Sequence, residues 1–178
     1  MLTTQNLTLR PIKAEDIPNY QTWTTTETEW QDWDAPWEKD DDDSAFIARQ
    51  IANIGIAKKI YYKLEIETAT GAHIGWVSAY DIDGDSNKLA VGIDIPPPTA
   101  RGKGYGQEAL TAFINYLFTA TGKTTIYTQT WSGNLPMLAL AAKMGFKETA
   151  RIKDKREVNG QKYDALTFAI TPQGINAK

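Results

Sequence analysis

The chain contains no cysteine. Disulfides, a catalytic thiol and thiolate metal sites are therefore excluded. A single histidine, His73, leaves little room for a zinc site or a serine–histidine relay, and no metal is expected. His73 stands at the start of a strand and reads as a surface residue rather than a catalyst. No apolar run approaches the roughly 18 residues of a membrane-spanning helix. The opening, MLTTQNLTLRP, carries no basic-then-apolar leader. A cytoplasmic location with no membrane partner is the expectation. Positive charge is not in excess either. The formal net charge is −3, which argues against general nucleic-acid binding. There is no internal repeat. The 178 residues suit one domain, 1–178, with a sizeable core.

What is present centres on the stretch from Val91 to Thr121. Val91, Ile93 and Ile95 alternate with Gly92 and Asp94, a strand pattern that Pro96, Pro97 and Pro98 end. A basic, glycine-rich loop follows: Arg101, Gly102, Lys103, Gly104, Tyr105, Gly106. Ala109, Leu110, Phe113, Ile114, Leu117 and Phe118 then recur at helical spacing up to Gly122, a helix-stopping glycine. Strand, glycine loop and helix make an anion cradle. First-turn N–H groups have no helical partner, the helix dipole favours an anion, and glycines let the backbone come close. Arg101 and Lys103 add charge. The inferred ligand is a phosphate or pyrophosphate. The loop has neither P-loop nor Rossmann glycine spacing.

Before the cradle, Leu7 to Ile12 reads as a strand, Lys13 to about Trp23 as a short helix, and Ala45 to about Lys59 as a second helix with Phe46, Ile47, Ile51 and Ile54 inward. Asp40 to Asp43, with Ser44, reads as a helix cap. Tyr61 to Thr68, His73 to Asp81 and Lys88 to Ile95 form an antiparallel meander. After it come a strand (Thr125 to Trp131), a helix capped by Asn134 (Leu135 to Met144), and strands from Lys147 to Ile152 and Tyr163 to Ile170. Asn159-Gly160 turns between those two. Between the first two helices, Trp30, Trp33 and Trp37 stand among acids. They either pack a loop onto the sheet or line a substrate cleft in which Glu29, Asp32 or Asp34 meets a cation.

Arg101-x-x-Gly104-x-Gly106 resembles the Q/R-x-x-G-x-G/A motif of the GNAT superfamily, the N-acetyltransferases that use acetyl-CoA. The run from Asn134 to Gly145-Phe146 is similar to that superfamily's N-x(10)-G-F helix. The opening LTLRPIKAEDIPNY and the tail VNGQKYDALTF look most like the branch that includes ribosomal-protein N-terminal acetyltransferases. The resemblance implies an α+β (α/β mixed) fold: a central, mixed, mostly antiparallel sheet of about seven strands flanked by about four helices. Two parallel strands, 88–95 and 125–131, would splay into a V that takes the pantetheine arm along Ile93 to Ile95. The pyrophosphate would lie on Gly102 to Gly106, with Tyr105 in that loop. Asn134 would contact the pantetheine or orient the thioester, and Lys143 would reach the nucleotide end. The activity implied is acetyl transfer, or transfer of a longer acyl group, to a primary amine: a small molecule or a peptide N-terminus. A non-catalytic acyl-CoA-binding or sensing module is the alternative. Dimers are common in that superfamily, so a homodimer is a further expectation.

The chain departs from the superfamily at the group that protonates the departing thiolate. The usual tyrosine position is Ala141, and the serine of the ribosomal branch is Met137. Ser132 at the strand end is the substitute chosen here, with Tyr127 and Tyr163 as alternatives. For the base, Asp94 on the cradle strand is the first candidate, ahead of Glu29 and Asp32.

Overall fold

The computed structural model describes residues 1–38 and 43–175. Eight strands form one sheet: β1 (Leu2–Thr3), β2 (Leu7–Arg10), β3 (Lys63–Thr68), β4 (His73–Ile82), β5 (Asp85–Asp94), β6 (Ile126–Trp131), β7 (Lys147–Val158) and β8 (Gln161–Ile170). Their spatial order is β1-β2-β3-β4-β5-β6-β8-β7. Every neighbouring pair is antiparallel except β5 and β6. The α-helices are α1 (Ile17–Thr25), α2 (Asp43–Ile51), α3 (Tyr105–Thr121) and α4 (Leu135–Met144). Among the described residues no helix is long and apolar enough to cross a membrane.

The helices take both faces of the sheet. The apolar stripe of α3, Ala109, Leu110, Phe113, Ile114 and Leu117, is wholly buried against Leu9, Ile66, Val77 and Val91, with Met137, Ala141 and Met144 of α4 beside it. Gly122 stops α3 at φ +70°, and its N–H reaches Phe118 O at 3.0 Å. On the other face Tyr20 and Trp23 of α1 and Phe46 and Ile47 of α2 pack around Trp76. This second face also buries charge. The Arg10 guanidinium forks onto Asp16 at 2.7 Å through both terminal nitrogens and reaches Glu67 through Nε at 2.7 Å. Glu65 accepts from Tyr20 Oη at 2.7 Å and lies 2.9 Å from His73 Nε2. The expectation of a surface His73 is therefore corrected. Its side chain is 4% exposed, enclosed between Glu65 and Asp16 because buried carboxylates need partners.

β5 and β6 register at a single pair, Ala90 with Tyr127. Immediately beyond it the Thr128 hydroxyl, fully buried, donates to Val91 O at 2.9 Å. A side chain thus satisfies the strand where the backbone ladder ends, and the V opens from there. Replacing Thr128 with valine leaves Val91 O buried without that donor. Stability should fall by about 1–3 kcal/mol, read from urea unfolding midpoints. An unchanged midpoint would mean that the hydroxyl does not hold the fork.

Several boundaries differ from expectation. β1 has no signature in the sequence: two residues paired Leu2 to Leu9 carry no periodicity. The second helix ends at Ile51 rather than near Lys59. Asn53 N bonds Gln50 O, a tighter turn, the Asn53 side chain caps Arg49 O at 2.7 Å, and Gly55 turns the chain at φ +73°. Ile51, expected inward, is 51% exposed. Of the acidic cap, Asp40 to Asp42 lie outside the described residues, and α2 begins at Asp43. The last hairpin is longer than expected. β7 is an edge strand, exposed along most of its length, so its sequence shows no apolar alternation while its backbone still pairs with β8.

Candidate functional site

Among the described residues, the splay leaves the β6-facing edge of β5 without a strand partner beyond Ala90. Backbone groups so placed require an acceptor or donor from elsewhere; Thr128 meets Val91 O and Arg101 meets Ile95 O, and the edge between them, at Ile93, suits an amide-bearing chain. The glycine loop stands at the end of that edge. Gly102 and Gly104 adopt φ +72° and +86°, and a Cβ at either would meet nothing within 4 Å. Gly104 is the N-cap of α3 and supplies no side-chain cap, and the first intrahelical bond runs from Glu108 N to Gly104 O at 3.1 Å. The amides before Glu108 thus have no helical acceptor. Lys103 is exposed at the loop apex, and Tyr105 is partly buried against the core. A Cβ added at Gly106 would lie within 4.0 Å of the Ile93, Ile95 and Leu140 side chains, so the loop packs close over the strand end. These groups fit a pyrophosphate with an amide-bearing arm.

Arg101 does something other than the sequence suggests. Its Nε donates to Ile95 O at 2.8 Å and Nη2 to Pro96 O at 2.5 Å, which supplies donors where the proline run ends the ladder. Nη1 pairs with Glu29 at 2.6 Å. The Arg101 guanidinium is thus engaged by the chain itself rather than aimed at a phosphate. Glu29 also accepts from the Trp33 indole at 3.1 Å. That bond first, and Arg101 second, hold its carboxyl below the usual range. Glu29 thus spends both carboxylate oxygens on protein donors, while its side chain stays more than half exposed.

The Trp33 carbonyl in turn accepts from Trp131 Nε1 at 3.0 Å and Asn134 Nδ2 at 2.9 Å. The segment from Glu29 to Trp33 therefore crosses from the end of β5 to the end of β6. Trp30 packs edge-on to Trp76 and donates to Trp23 O, and Trp37 stands edge-on to Trp131 with the Arg156 guanidinium over its ring. Asp32 is exposed on the same segment.

Asp94 closes β5 opposite Trp76 on the face shared with α1 and α2. Gly75 positions it. At φ +149° a Cβ there would lie 2.0 Å from Asp94 O, so only glycine admits β5 this closely. Burial pushes the Asp94 carboxyl well above the usual range and the neighbouring charge of Asp34 adds to this. Lys63 and a hydrogen bond from Trp76 oppose it. A carboxyl with raised proton affinity beside a cleft is suited to accept a proton near neutral pH.

The remaining candidates are held by the fold. Asn134 Oδ1 accepts from Met137 N at 3.0 Å as the cap of α4, and its Nδ2 is given to Trp33 O, so both ends are used. Ser132 Oγ accepts from Asp164 N at 3.0 Å and extends the β6–β8 pairing. Tyr163 Oη donates to Gln161. Lys143 is exposed in the last turn of α4. Among the described residues no group of three or more metal-ligating side chains gathers. Lys63 and Trp76 escape a reading of the sequence. The alternation of Lys63, Glu65 and Glu67 looks like a solvated face, and only pairing β3 with the Trp76 strand would have placed that face under α1 and α2.

Comparison with known proteins bears on these features. A family model described as "Acetyltransferase (GNAT) domain" matches residues 6–147. The SPbeta prophage-derived uncharacterized N-acetyltransferase YokL of Bacillus subtilis (strain 168) is 23% identical over 180 aligned positions, covering 95% of this chain and 92% of its own. Among the solved structures that share the fold are two acetyltransferases in complex with coenzyme A. One is a spermidine N-acetyltransferase from Vibrio cholerae in complex with CoA and spermine, with a TM-score of 0.72 and 19% identity over 96% of this chain and 98% of that one. The other is the ribosomal L7/L12 alpha-N-protein acetyltransferase RimL in complex with coenzyme A, with a TM-score of 0.73 and 16% identity over 94% and 95%.

Proposed function

This chain belongs to the GNAT acetyltransferase family, and from that premise we propose that it moves an acetyl group from acetyl-CoA to the primary amine of a small molecule or a peptide N-terminus. The observation that carries the reading is Asp94, at the end of β5 beyond its last pair with β6 and opposite Trp76, with a carboxyl of raised proton affinity. The amides of Gly102 to Gly106 would hold the pyrophosphate, and the unpaired edge of β5 near Ile93 would hold the pantetheine. A bound thioester supplies an acetyl carbon open to attack. The chain's own task is to present a neutral amine to it.

An alkyl ammonium has a pKa near 10.4, so neutralising it at pH 7 costs on the order of 4–5 kcal/mol. Asp94 accepts that proton, and the segment that carries Trp33 and Asp34 restricts water over the reacting atoms. The proton shed as the amide forms goes to the departing sulfur. The likeness of the opening and tail to the ribosomal-protein branch favours a peptide α-amine, whose pKa near 8 asks less of the base. The neighbours' acceptors differ from each other, and the fold they share does not choose between them.

The test is calorimetric titration with acetyl-CoA, followed by a free-thiol assay over peptides with different N-termini, monoamines, polyamines and aminoglycosides. Binding with amine-dependent thiol release is expected. Binding without release on any amine would return the weight to an acyl-CoA-sensing module, and absence of binding would refute the cradle.

A further inference from the structure

Lys63 begins β3 with its side chain on the face covered by α1 and α2. Its Nζ stands 4.7 Å from the Trp76 ring centroid, 4.9 Å from Tyr20 and 5.6 Å from Phe46. Gln50, 6% exposed, donates to Phe46 O at 3.1 Å and so turns Oε1 to accept from Lys63 Nζ at 2.5 Å. Three aromatic faces and a fixed carbonyl make a seat for an ammonium, and the chain fills it with its own. Trp76 links this seat to the cleft. The indole that lies under Lys63 belongs to the direct strand partner of Asp94, so the two side chains share one face of the sheet.

The charges around these groups come from every packed element. Lys63 faces Glu65 on its own strand, Asp94 on β5 and Arg49 on α2. Asp94 faces Asp34, Lys63 and Trp76, and Tyr20 of α1 feels its charge. Glu65 is already met by Tyr20 and His73. The carboxyl that sets the field for an acceptor cation is thus Asp94, with the Lys63 ammonium, which burial holds below its usual range, behind it.

We propose that Lys63 is a built-in cation of the acceptor cleft, which selects acceptors carrying one positive charge over polycations and lowers the proton affinity of the amine bound at Asp94. This rests on the amine-acceptor reading above. A second ammonium on the acceptor meets like charge in a partly desolvated site, where Coulomb energies exceed those in water. The same repulsion lowers the proton affinity of the first ammonium, as a neighbouring cation activates an amine nucleophile, and it lowers that of Asp94 as well. Lys63 touches neither donor nor acceptor in this scheme. It acts through the field at Asp94 and is a positioning residue.

A matched pair of probes tests it: n-butylamine and 1,4-diaminobutane, similar in length and different by one charge. Binding of each to the ligand-free and CoA-loaded protein is measured by calorimetry at low salt. The wild type should favour the monoamine. In Lys63→Met the diamine-to-monoamine affinity ratio should rise about tenfold, and Lys63→Arg should keep the wild-type ratio. In turnover, the acid limb of kcat/KM for the monoamine should move to higher pH in Lys63→Met, since Asp94 in the free enzyme holds its proton more tightly once the cation is gone. A wild type that prefers the diamine overturns the proposal without any variant, as does a folded Lys63→Met with unchanged ratio and unchanged limb. Amine binding without turnover in the wild type would instead fault the acetyl-transfer reading and leave the affinity ratios to judge Lys63. Binding of neither amine removes both.

Discussion

Replacing Asp94 with asparagine should lower turnover of an amine acceptor by about 10²- to 10⁴-fold, the range for loss of a general base. Acetyl-CoA affinity should stay near that of the parent, because a side-chain amide of the same shape keeps the backbone path of β5 and the cradle lies beyond it. The pH dependence should change as well. Burial and the charge of Asp34 raise the Asp94 carboxyl well above the ordinary range, so kcat/KM of the parent should climb with pH through that raised value. In Asp94→Asn this limb should vanish, leaving only the rise set by the amine itself. Stability moves the other way. Between the ordinary carboxylate range and the raised value, the folded protein holds a proton that the unfolded chain has lost. Stability contributed by this group therefore falls as pH rises through that window. Asp94→Asn should accordingly be as stable as the parent or more so above it, measured by urea unfolding. A variant with parental turnover and a parental pH limb would remove Asp94 from the reaction.

The sequence made the cradle side of this site readable and left the acceptor side mostly hidden, for physical reasons. A glycine loop between strand and helix is local: its positive-φ positions, its uncapped helix start and the stripe of α3 all lie within one stretch. The Asn134 cap and the Gly145 stop of α4 are local too, and both occur as expected. The acceptor side is built from residues far apart in the chain. Lys63 and Glu65 look like a solvated face until α1 and α2 cover them, and His73 looks exposed until it meets Asp16 and Glu65. Arg101 and Glu29 lie 72 residues apart and cancel as free charges only because the segment after α1 crosses the mouth of the V. Motif reading gives a residue its type and place. It cannot show that another segment has already taken its hydrogen bonds, as with Arg101, Asn134 and Ser132.

Gly104 carries the second large effect. Substitution by aspartate should weaken acetyl-CoA binding by at least about 100-fold at low salt, measured by calorimetry. Two like charges near 4 Å cost about 4 kcal/mol at the effective dielectric of a protein surface. The carboxylate would stand at the amides expected to receive the pyrophosphate. A Cβ at this position meets nothing within 4 Å, so the loss would not come from a clash with the protein. The left-handed backbone, φ +86°, is a second source of cost, and Gly104→Asn separates the two. Asparagine tolerates that conformation about as well as aspartate and brings no charge. Gly104→Asn should therefore stay within about tenfold of the parent, and the gap between the two variants should narrow as salt screens the carboxylate. Equal losses in both would locate the effect in backbone strain. Parental binding by Gly104→Asp would mean that the anion lies elsewhere, because no arrangement of a pyrophosphate on these amides leaves a carboxylate at residue 104 without consequence.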